Sequence, residues 1–500
     1  MSSSNTSQAL PADAVVIGAG FGGLATALRL AEHGARVVVV ERLTYPGGCA
    51  STFTRQGVRY EAGATLFSGF APGQLFAEWM AKYDLDVVVD TLHPTIAFAS
   101  SSGTLDVSPD RAVFVDEVVG RSQNPKNVQA FLEWQGRLAD VLWTVLQSPE
   151  LLPPLTLSTV AKHLLRTPRY ASLVPWLGRP LASALRHFDV DNEPLLRSFL
   201  NALCQITVQC SVDEAETAFA LSTMDYPFRG TGHVKGGIGR LASGLVDAVG
   251  QAGGDVRFAD EARRLERKDG GWVVHTRKGT WRTPVVVANL VPSALGRLLE
   301  DTDVVVDEEA ERDWSAAMWY GTMRVPADEP HFAERHLQLV HDDTQPLQHG
   351  NHLFVSIGAV DDERGTPPGT VAFTASSHVD LRAWRAAGEA GTQAGFVDDI
   401  QQKMKQTLQL RAPAWADRVV SSMPGSPRTF ARFTARPDGW VGGVPRRAGL
   451  LPYLKLGPDR RGPGLWLVGD SSFLGQSTLA VATSGVRTAD AIAKGRTGWA

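Results

Sequence analysis

Three glycines near the start of the chain carry the most specific chemical signal in the sequence. Gly18, Gly20 and Gly23 form the pattern G-x-G-x-x-G. In such a turn the first glycine permits a tight bend, the second lets the backbone approach a pyrophosphate, and the third allows close helix packing. A helix that begins there would also direct free N–H groups and the positive end of its dipole at phosphates. The turn therefore predicts a dinucleotide site.

Glu41 completes this pattern. It follows the next strand-like run at roughly the ~20-residue offset where an acidic side chain binds a pair of ribose hydroxyls. The glycines and this acid do not separate FAD from NAD, so that choice depends on other segments of the chain.

The elements that must position these residues are a strand, a helix and a second strand. Residues 14–17 form a short apolar run typical of a buried parallel strand, residues 24–31 have helical spacing, and residues 36–40 are again strand-like. The three together have the size of a right-handed crossover unit.

A second strand and helix signal lies near the end of the chain. Residues 465–468 favour a buried strand that runs into Gly469 and Asp470, and a helix is predicted over 478–493. In the middle, a glycine-rich turn at 235–239 precedes a predicted helix, whereas residues 131–223 are mainly helical in pattern. Segments far apart in the sequence therefore predict one discontinuous dinucleotide domain.

Composition excludes several classes of protein. Forty-nine basic and fifty-three acidic residues give a net charge of -4 without a long run of one sign, so we expect no nucleic-acid partner. Three cysteines, Cys49, Cys204 and Cys210, are too few for a disulfide framework. Because residues 1–12 hold no apolar leader, we expect a cytoplasmic protein. No run approaches the ~18 apolar residues of a spanning helix, so membrane contact is expected only at the surface.

The loops around these signals resemble the phytoene desaturase and carotenoid isomerase family, within the wider amine oxidase-like flavoproteins. The motifs that carry the resemblance are Pro46-Gly47-Gly48, Tyr60-Glu61-Ala62-Gly63-Ala64-Thr65, Lys235-Gly236-Gly237-Ile238-Gly239, and the segment from Gly469-Asp470 to Ala480-Val481-Ala482. They span most of the chain, and residues 97–224 match only loosely. The resemblance implies FAD as cofactor and an α/β fold with a Rossmann-type, amine oxidase-like FAD-binding domain.

The same resemblance implies a division of the chain into two domains. Residues 10–96, 232–296 and 456–500 would form the discontinuous FAD-binding domain. Residues 97–231 and 297–455 would form an intercalated α+β substrate domain with a helical part.

The resemblance also implies how FAD would be held. Gly47 and Gly48 would lie against the pyrophosphate, Ala64 and Thr65 beside the isoalloxazine, and Ala262 near the adenine. Gly469 and Asp470 would meet ribityl or pyrophosphate oxygens. The N-terminal turn of the last helix, at Leu479 and Ala480, would face the flavin pyrimidine, where negative charge collects on reduction. Cys49 departs from the family pattern, since many relatives have a phosphate-clamping arginine there.

Other polar residues give weaker signals. No second dinucleotide turn and no redox cysteine pair is visible, so we expect the substrate to supply electrons and a quinone or oxygen to accept them. The histidine spacing does not indicate a metal site. His233, just before the internal glycine turn, is a candidate acid or base, and a hydrogen-bonded loop histidine is the alternative.

One segment has two interpretations. Residues 151–188 contain no acidic residue, but carry basic side chains among apolar ones. These are Lys162, Arg166, Arg169, Arg179 and Arg186. The segment is typical either of a basic patch that settles on an anionic membrane or of the ordinary basic face of a helical subdomain.

The resemblance implies a desaturase that acts on a carotenoid. The variants at residues 47–53 and 63–65 are most similar to the branch that desaturates the 3,4 position of an acyclic, hydroxylated carotenoid. Two alternatives stay open: a carotenoid cis-trans isomerase that uses reduced FAD, and a non-catalytic prenyl-binding escort of the Rab GDI type. The escorts do not keep a usable flavin site, whereas this chain retains its three motif glycines, Glu41 and Asp470.

Overall fold

Two large sheets, one of them covered by a layer of helices, form the main part of the described structure. The computed structural model describes residues 9–63, 65–148, 151–152, 160–163, 165, 170–299, 313–326, 329, 332, 335–454, 456–472 and 477–495. Within these ranges the two sheets draw their strands from widely separated parts of the chain.

The first large sheet, which is mostly parallel, has six strands. In spatial order they are Asp255–Arg257, Val37–Val40, Ala14–Ile17, Val286–Ala288, Leu465–Leu467 and Asp459–Gly462. All neighbours are parallel except the last pair. Its central strands are buried on both faces, which explains their uninterrupted runs of valine and other apolar residues.

The helix Phe21–Glu32 joins the two predicted strands as expected, but it begins three residues earlier than the predicted 24–31. Gly20 is its N-cap residue, so the helix starts inside the glycine motif itself. Apolar periodicity gives no signal at glycines, and close packing overrides their low helix propensity here.

The helix Phe21–Glu32 packs along the last helix, Thr478–Lys494. At their crossing the backbones nearly touch, because a Cβ atom added to Gly485 would lie 2.4 Å from the carbonyl oxygen of Gly22. The two helices contribute Leu24, Leu28, Ala482 and Ala489 to one buried apolar cluster. The two ends of the chain therefore meet through backbone contact.

The second large sheet, here called the broad sheet, has seven strands. In spatial order they are Val419–Gly425, Trp314–Arg324, Thr370–Asp380, His352–Ile357, Arg335–Val340, Ile96–Ser100 and Gly103–Val107. One face packs against the helices Leu381–Glu389 and Gln393–Arg411. The other face packs against a layer of helices.

This helical layer comes mostly from the segment expected to be helical. It comprises Arg111–Gly120, Pro125–Leu146, Leu181–His187, Pro194–Thr207 and Thr217–Met224. Helix begins at residue 111, twenty residues before the predicted start at 131. The hairpin of Ile96–Ser100 and Gly103–Val107 precedes this layer and was not predicted. Its alternation of apolar and polar residues is short, and it pairs with a strand that comes much later in the chain.

The remaining elements are smaller. A four-stranded sheet contains Leu10–Pro11, Thr280–Thr283, Gly271–Thr276 and Ala262–Lys268. Two-stranded pairs are Thr52–Arg55 with Val58–Glu61, and Val89–Asp90 with His233–Val234. Further helices are Leu75–Tyr83, Ile238–Gln251, Pro292–Gly296, Pro413–Ala416, Pro427–Thr434 and Leu451–Leu454.

The second half of the chain includes the short helix Pro427–Thr434, whose capping box involves Ser426 and Thr429. The division into two domains is compatible with the two sheets and stays a prediction. Among the described residues, no helix is both long and apolar enough to cross a membrane.

The contact between the first and last helices leads to a stability prediction. Gly485→Ala places a methyl group against the Gly22 carbonyl and should lower the free energy of unfolding by about 1–3 kcal/mol, as overpacking does. Gly250→Ala is the matched control, because nothing lies within 4 Å of its added methyl on the exposed face of the helix Ile238–Gln251. It should be neutral or stabilising by up to about 1 kcal/mol. Urea unfolding of both variants measures the difference, and equal midpoints would contradict the proposed contact.

Candidate functional site

The predicted glycine turn lies between the strand Ala14–Ile17 and the helix Phe21–Glu32. A Cβ atom at Gly23 would lie 2.1 Å from the carbonyl oxygen of Gly18, so only glycine fits where the helix closes on the turn. Asn289, at the end of a neighbouring strand, donates its side-chain N–H to that carbonyl at 3.4 Å. The turn therefore presents the N-terminus of the helix as a phosphate-binding backbone requires.

Glu41 is fixed by the backbone around it. The Ala19 N–H donates to its Oε2 at 2.8 Å, and the Leu43 N–H donates to its Oε1 at 2.7 Å. Its carboxylate thus lies beside the glycine turn, and each oxygen retains a lone pair for a hydroxyl group. This geometry suits the predicted contact with a ribose.

The loop that carries Gly47 and Gly48 packs directly on the glycine turn. The Gly47 N–H donates to the Ala19 carbonyl at 2.9 Å, and Gly20 and Gly47 form an isolated β-bridge. Backbone groups from two loops therefore line the same place, although residues 20 and 47 are separated by a whole strand-helix unit.

Asp470 lies at the other end of the chain and pairs with a residue that sequence reasoning missed. Arg436 donates to both of its carboxylate oxygens, at 2.9 and 3.1 Å, and the pair is mostly buried. The Arg436 guanidinium also lies 4.5 Å from the centre of the Trp440 ring. No local pattern marks Arg436, which comes from a loop that only the tertiary fold brings here.

Arg436 also lies next to Cys49, the position that departs from the family pattern. Burial raises the pKa of the Cys49 thiol, while the charge of Arg436 lowers it and that of Asp470 raises it again. The thiol is therefore protonated at neutral pH, and a reactive cysteine is not favoured. Arg436 therefore places a positive charge beside position 49.

The last helix directs its N-terminus at the same place. The Ala480 N–H donates to the Ser477 hydroxyl at 3.1 Å, so Ser477 caps the helix Thr478–Lys494. Leu479 and Ala480 then line the site with the first turn of this helix. The positive end of its dipole therefore favours negative charge there.

These parts surround one cavity of about 1120 Å³. Most of the candidate cofactor residues line it: Gly18, Gly20, Glu41, Gly47, Gly48, Thr65, Ala262, Gly469, Asp470, Leu479 and Ala480. Gly23 does not line the cavity, but packs against the Gly18 carbonyl within the turn. Ala64 lies outside the described residues. The structure thus brings both ends of the chain to one site, and the roles assigned within it stay predictions.

Beyond the glycine turn the cavity continues into what we call the apolar arm. It lies between the helical layer and the broad sheet, and its walls include Leu142, Leu203, Ile206, Phe219, Met318 and Phe354. The total volume exceeds the ~300–1,000 Å³ typical of a pocket for one drug-sized ligand. The cavity is therefore larger than a typical pocket for one such ligand, and it has a polar end and an apolar end.

Two ionisable side chains on the walls of the apolar arm are neutral. Burial raises the pKa of Tyr226 to about 12, against an opposing hydrogen bond with Ser68, and burial lowers the pKa of His378 to about 4. The Tyr226 hydroxyl donates to the Leu66 carbonyl at 3.3 Å. These groups suit an uncharged ligand that is shielded from water.

His233 does not line this cavity. It is buried, and its Nε2 lies 3.0 Å from Asp362 Oδ1. Asp362 also accepts from the Gly236 N–H at 2.6 Å and from Arg364 Nε at 2.5 Å. Burial alone would raise the pKa of Asp362, but the His233 hydrogen bond and the Arg364 charge hold it below its usual value.

The same network extends to the loop beside the cavity. Arg364 also donates to Glu61 Oε1 at 3.1 Å, and that oxygen accepts from the Ile238 N–H at 3.0 Å. Thr52 donates to the other oxygen of Glu61 at 2.8 Å. Two N–H groups of the internal glycine turn, those of Gly236 and Ile238, therefore donate to protein carboxylates, and Glu61 ties the turn to the hairpin that leads to Thr65.

Comparison with known proteins bears on this arrangement. Residues 16–83 match the family described as NAD(P)-binding Rossmann-like domain. Prolycopene isomerase 1 of an Oncidium hybrid cultivar is 27% identical over 520 residues, which cover 96% of this chain and 84% of that protein. The neurosporene-forming phytoene desaturase of Rhodobacter capsulatus is 43% identical over 84 residues, 16% of each protein.

A solved structure of putrescine oxidase bound to putrescine has a TM-score of 0.62 at 14% identity, and the match covers 98% of this chain and 100% of that chain. At this identity the likeness shows the fold alone. It confirms the predicted α/β fold with a Rossmann-type domain and amine oxidase-like architecture.

The placement of His233 predicts a supporting role rather than proton transfer. His233→Gln should lower the free energy of unfolding by about 1–3 kcal/mol, because it disturbs a buried carboxylate. His33→Gln is the control, since His33 is only half-buried and bonds Asp490 at the protein surface. Thermal unfolding and a pH-rate profile test both variants. An altered apparent pKa of turnover in His233→Gln, with unchanged stability, would instead favour an acid-base role.

Proposed function

From the homology of the chain to prolycopene isomerases and phytoene desaturases, which confirms the resemblance of its motifs, we propose an FAD-dependent enzyme that modifies a carotenoid. One observation carries this proposal. A single cavity runs from the glycine turn and Glu41 into the apolar arm, so a dinucleotide and a long apolar molecule would meet inside the protein.

The residues around the glycine turn fit FAD by shape and charge. Backbone N–H groups of the helix Phe21–Glu32 would meet the pyrophosphate, and the free lone pairs of Glu41 would accept from the ribose hydroxyls. Arg436 would supply a positive charge near the phosphates while Asp470 orients its planar group.

In the proposed reaction the enzyme desaturates its substrate. When bound, FAD would accept a hydride from an allylic carbon while the adjacent carbon loses a proton, which adds one double bond to the polyene. The first turn of the helix Thr478–Lys494 favours the negative charge that arises on reduction. The apolar arm would align the chain and exclude water.

We assign the finer substrate from the motif variants at residues 47–53 and 63–65. They favour the 3,4 bond of an acyclic, 1-hydroxylated carotenoid, with a quinone or oxygen as the terminal electron acceptor.

An isomerase is the second candidate. The similarity to prolycopene isomerase spans 96% of the chain, whereas that to phytoene desaturase spans 16%. A carotenoid cis-trans isomerase would use the same cavity with reduced FAD. The prenyl-binding escort is less favoured, because Glu41 and the glycine turn keep the geometry of a dinucleotide site.

The mass of the product separates these functions. Purified protein supplied with FAD, a quinone and an acyclic carotenoid should yield a product that is two hydrogen atoms lighter, with absorption at longer wavelength. An isomerase would change the absorption and retention of the pigment at constant mass. A colourless protein that takes up no FAD would contradict both.

A variant of Glu41 tests whether the product depends on the flavin site. Glu41→Ala removes the carboxylate next to the turn and should weaken FAD binding by about 1.4–2.8 kcal/mol, or roughly 10- to 100-fold. Glu133→Ala, at an exposed position of the helical layer, is the matched control and should bind FAD as the wild type does. Flavin fluorescence titration measures both dissociation constants, and equal values would contradict the assignment.

We also propose a peripheral position on the inner face of the membrane. Leu450 and Leu451 are 64% and 74% exposed, close in sequence to Tyr453 and Leu456 on the cavity wall. Leu450 packs on Gly178, which adjoins exposed Arg179. Arg166 and Arg169 of the predicted basic patch lie outside the described residues. Exposed leucines with basic neighbours favour an anionic bilayer, from which an apolar substrate could enter.

Vesicle flotation tests this surface. The wild type should float with vesicles made of equal amounts of phosphatidylglycerol and phosphatidylcholine. A smaller fraction of it should float with vesicles of phosphatidylcholine alone. The double change Leu450→Ser and Leu451→Ser should reduce flotation several-fold, because burial of each leucine side chain in the bilayer would contribute about 1.5–3 kcal/mol of binding free energy. Val360→Ser with Val420→Ser is the control, because both valines are exposed elsewhere. Equal flotation of the two double variants would contradict the assigned surface.

A further inference from the structure

A groove between three helices forms a second branch of the cavity, and we call it the side groove. Two of the helices, Leu75–Tyr83 and Thr478–Lys494, provide its walls, and the helix Phe21–Glu32 also contributes to its lining. Its wall residues are Leu75, Glu78, Trp79, Leu479, Thr483 and Val486. At its outer end the cavity is lined by Arg29, Glu32, Lys82 and Asp490.

The last helix gives the side groove its direction. Its lining residues Leu479, Thr483, Val486 and Asp490 are spaced by four, three and four positions, so they share one face of the helix. At a rise of about 1.5 Å per residue, the distance along the helix from Leu479 to Asp490 is about 17 Å. The groove therefore leads from the first turn of this helix, where the flavin ring would lie, toward the protein surface.

The helix Leu75–Tyr83 forms the other wall. Its lining residues Leu75, Glu78, Trp79 and Lys82 follow the spacing of a single helical face. Trp79 is buried, whereas the side chain of Lys82 is 56% exposed. The side groove is therefore apolar inside and charged where it opens.

The side groove and the apolar arm are separate branches of the cavity. Leu66 packs against the apolar cluster that contains Leu203 of the apolar arm, whereas Phe67 belongs to the cluster that contains Trp79 of the side groove. The chain passes from one cluster to the other between these two neighbours, directly after Thr65. Both branches therefore begin where the family resemblance places the isoalloxazine.

Ion pairs hold the outer end of the side groove. Lys82 Nζ lies 2.6 Å from Glu32 Oε1, and Arg29 Nη1 lies 3.1 Å from Glu32 Oε2. Arg29 Nε also lies 2.7 Å from Asp490 Oδ1. Burial alone would raise the pKa of Glu32, but hydrogen bonds from Lys82 and Tyr83 hold it below its usual value. Two basic and two acidic side chains therefore balance one another at the opening.

This balance narrows the class of ligand. Glu78, which is exposed, leaves the opening with a small excess of negative charge, so it does not attract an anionic electron carrier such as a pyridine dinucleotide. Inside, the indole of Trp79 and the aliphatic Leu75 and Val486 offer contact surface for a planar, uncharged ring. A quinone has this chemistry, whereas molecular oxygen is too small to need a groove of this length.

We propose that a quinone reaches the flavin through the side groove, so that the electron acceptor and the carotenoid bind at separate places. This inference rests on the proposed function and adds the site of the acceptor. Desaturation removes two electrons and two protons from the carotenoid, and the quinone takes up two electrons and two protons and leaves as the quinol. The carotenoid product therefore does not have to leave the apolar arm before the acceptor binds.

Binding of a short-chain quinone tests this site without turnover. Ubiquinone-1 is titrated into the oxidised holoenzyme by isothermal calorimetry, and saturable binding with one site per chain is expected. The titration is repeated with the holoenzyme saturated with its own product pigment, which can no longer reduce the flavin. The quinone dissociation constant should change by less than about 3-fold, because separate sites are weakly coupled.

Two variants that fill the side groove locate the quinone. Val486→Phe and Thr483→Phe should each raise the quinone dissociation constant at least about 10-fold, because a ligand must then be accommodated in an overpacked groove. The Thr483 hydroxyl donates only to the Leu479 carbonyl of its own helix, so its loss leaves no other group unpaired. Val113→Phe is the matched control at a valine that is 52% exposed on the helix Arg111–Gly120, and it should bind the quinone as the wild type does. The flavin absorption spectrum and the thermal midpoint show that each variant is folded.

The outcomes separate this site from the proposed function. Absence of saturable quinone binding, or competition between the quinone and the product pigment, would overturn the side groove as the acceptor site. Wild-type quinone affinity in both filled variants would also overturn it, and weaker carotenoid binding in them would assign the groove to the polyene instead. Anaerobic mixing of the holoenzyme with an acyclic carotenoid tests the proposed function by itself. If the carotenoid does not reduce the flavin there, desaturation is contradicted, while the quinone dissociation constants still decide the groove.

Discussion

The close approach of two backbones governs this structure. The helix Phe21–Glu32 and the helix Thr478–Lys494 cross where Gly22 and Gly485 leave no room for a side chain. The strand Leu465–Leu467 brings the end of the chain to this crossing, because it pairs with Val286–Ala288, which in turn pairs with Ala14–Ile17. Three distant segments must therefore assemble before the site exists. Their apolar surfaces are buried against one another, and this burial drives the assembly.

This assembly concentrates backbone donors and fixed charges at one end of the cavity. The N-termini of both crossing helices face the same space, and Glu41 and Asp470 are each held by specific hydrogen bonds. Arg436 balances the negative charge of Asp470, so neither buried charge is left alone. A preorganised polar end of this kind can bind a charged dinucleotide without rearranging its own groups.

A second buried network holds the neighbouring parts in place. Glu61, Arg364 and Asp362 alternate in charge and link the hairpin before Thr65 to the internal glycine turn. Both carboxylates of this network are buried. Loss of one hydrogen-bond partner would therefore leave a buried charge without compensation, which is costly in an apolar environment. The broad sheet contributes Arg364 and Asp362 through the loop after its strand His352–Ile357, so the network ties this sheet to the hairpin before Thr65.

The sequence by itself determined the strand-helix-strand unit that carries the glycine turn. The spacing of Gly18, Gly20 and Gly23 with Glu41 is local, and so are the apolar runs that flank it, because a crossover unit folds from adjacent residues. Only the tertiary structure decided that Arg436 pairs with Asp470, that His233 is buried against Asp362 away from the cavity, and that the hairpin at Ile96–Ser100 joins strands more than two hundred residues later. These contacts join segments that meet only after the two large sheets have formed, and long-range pairing of this kind leaves no periodic trace in any one segment.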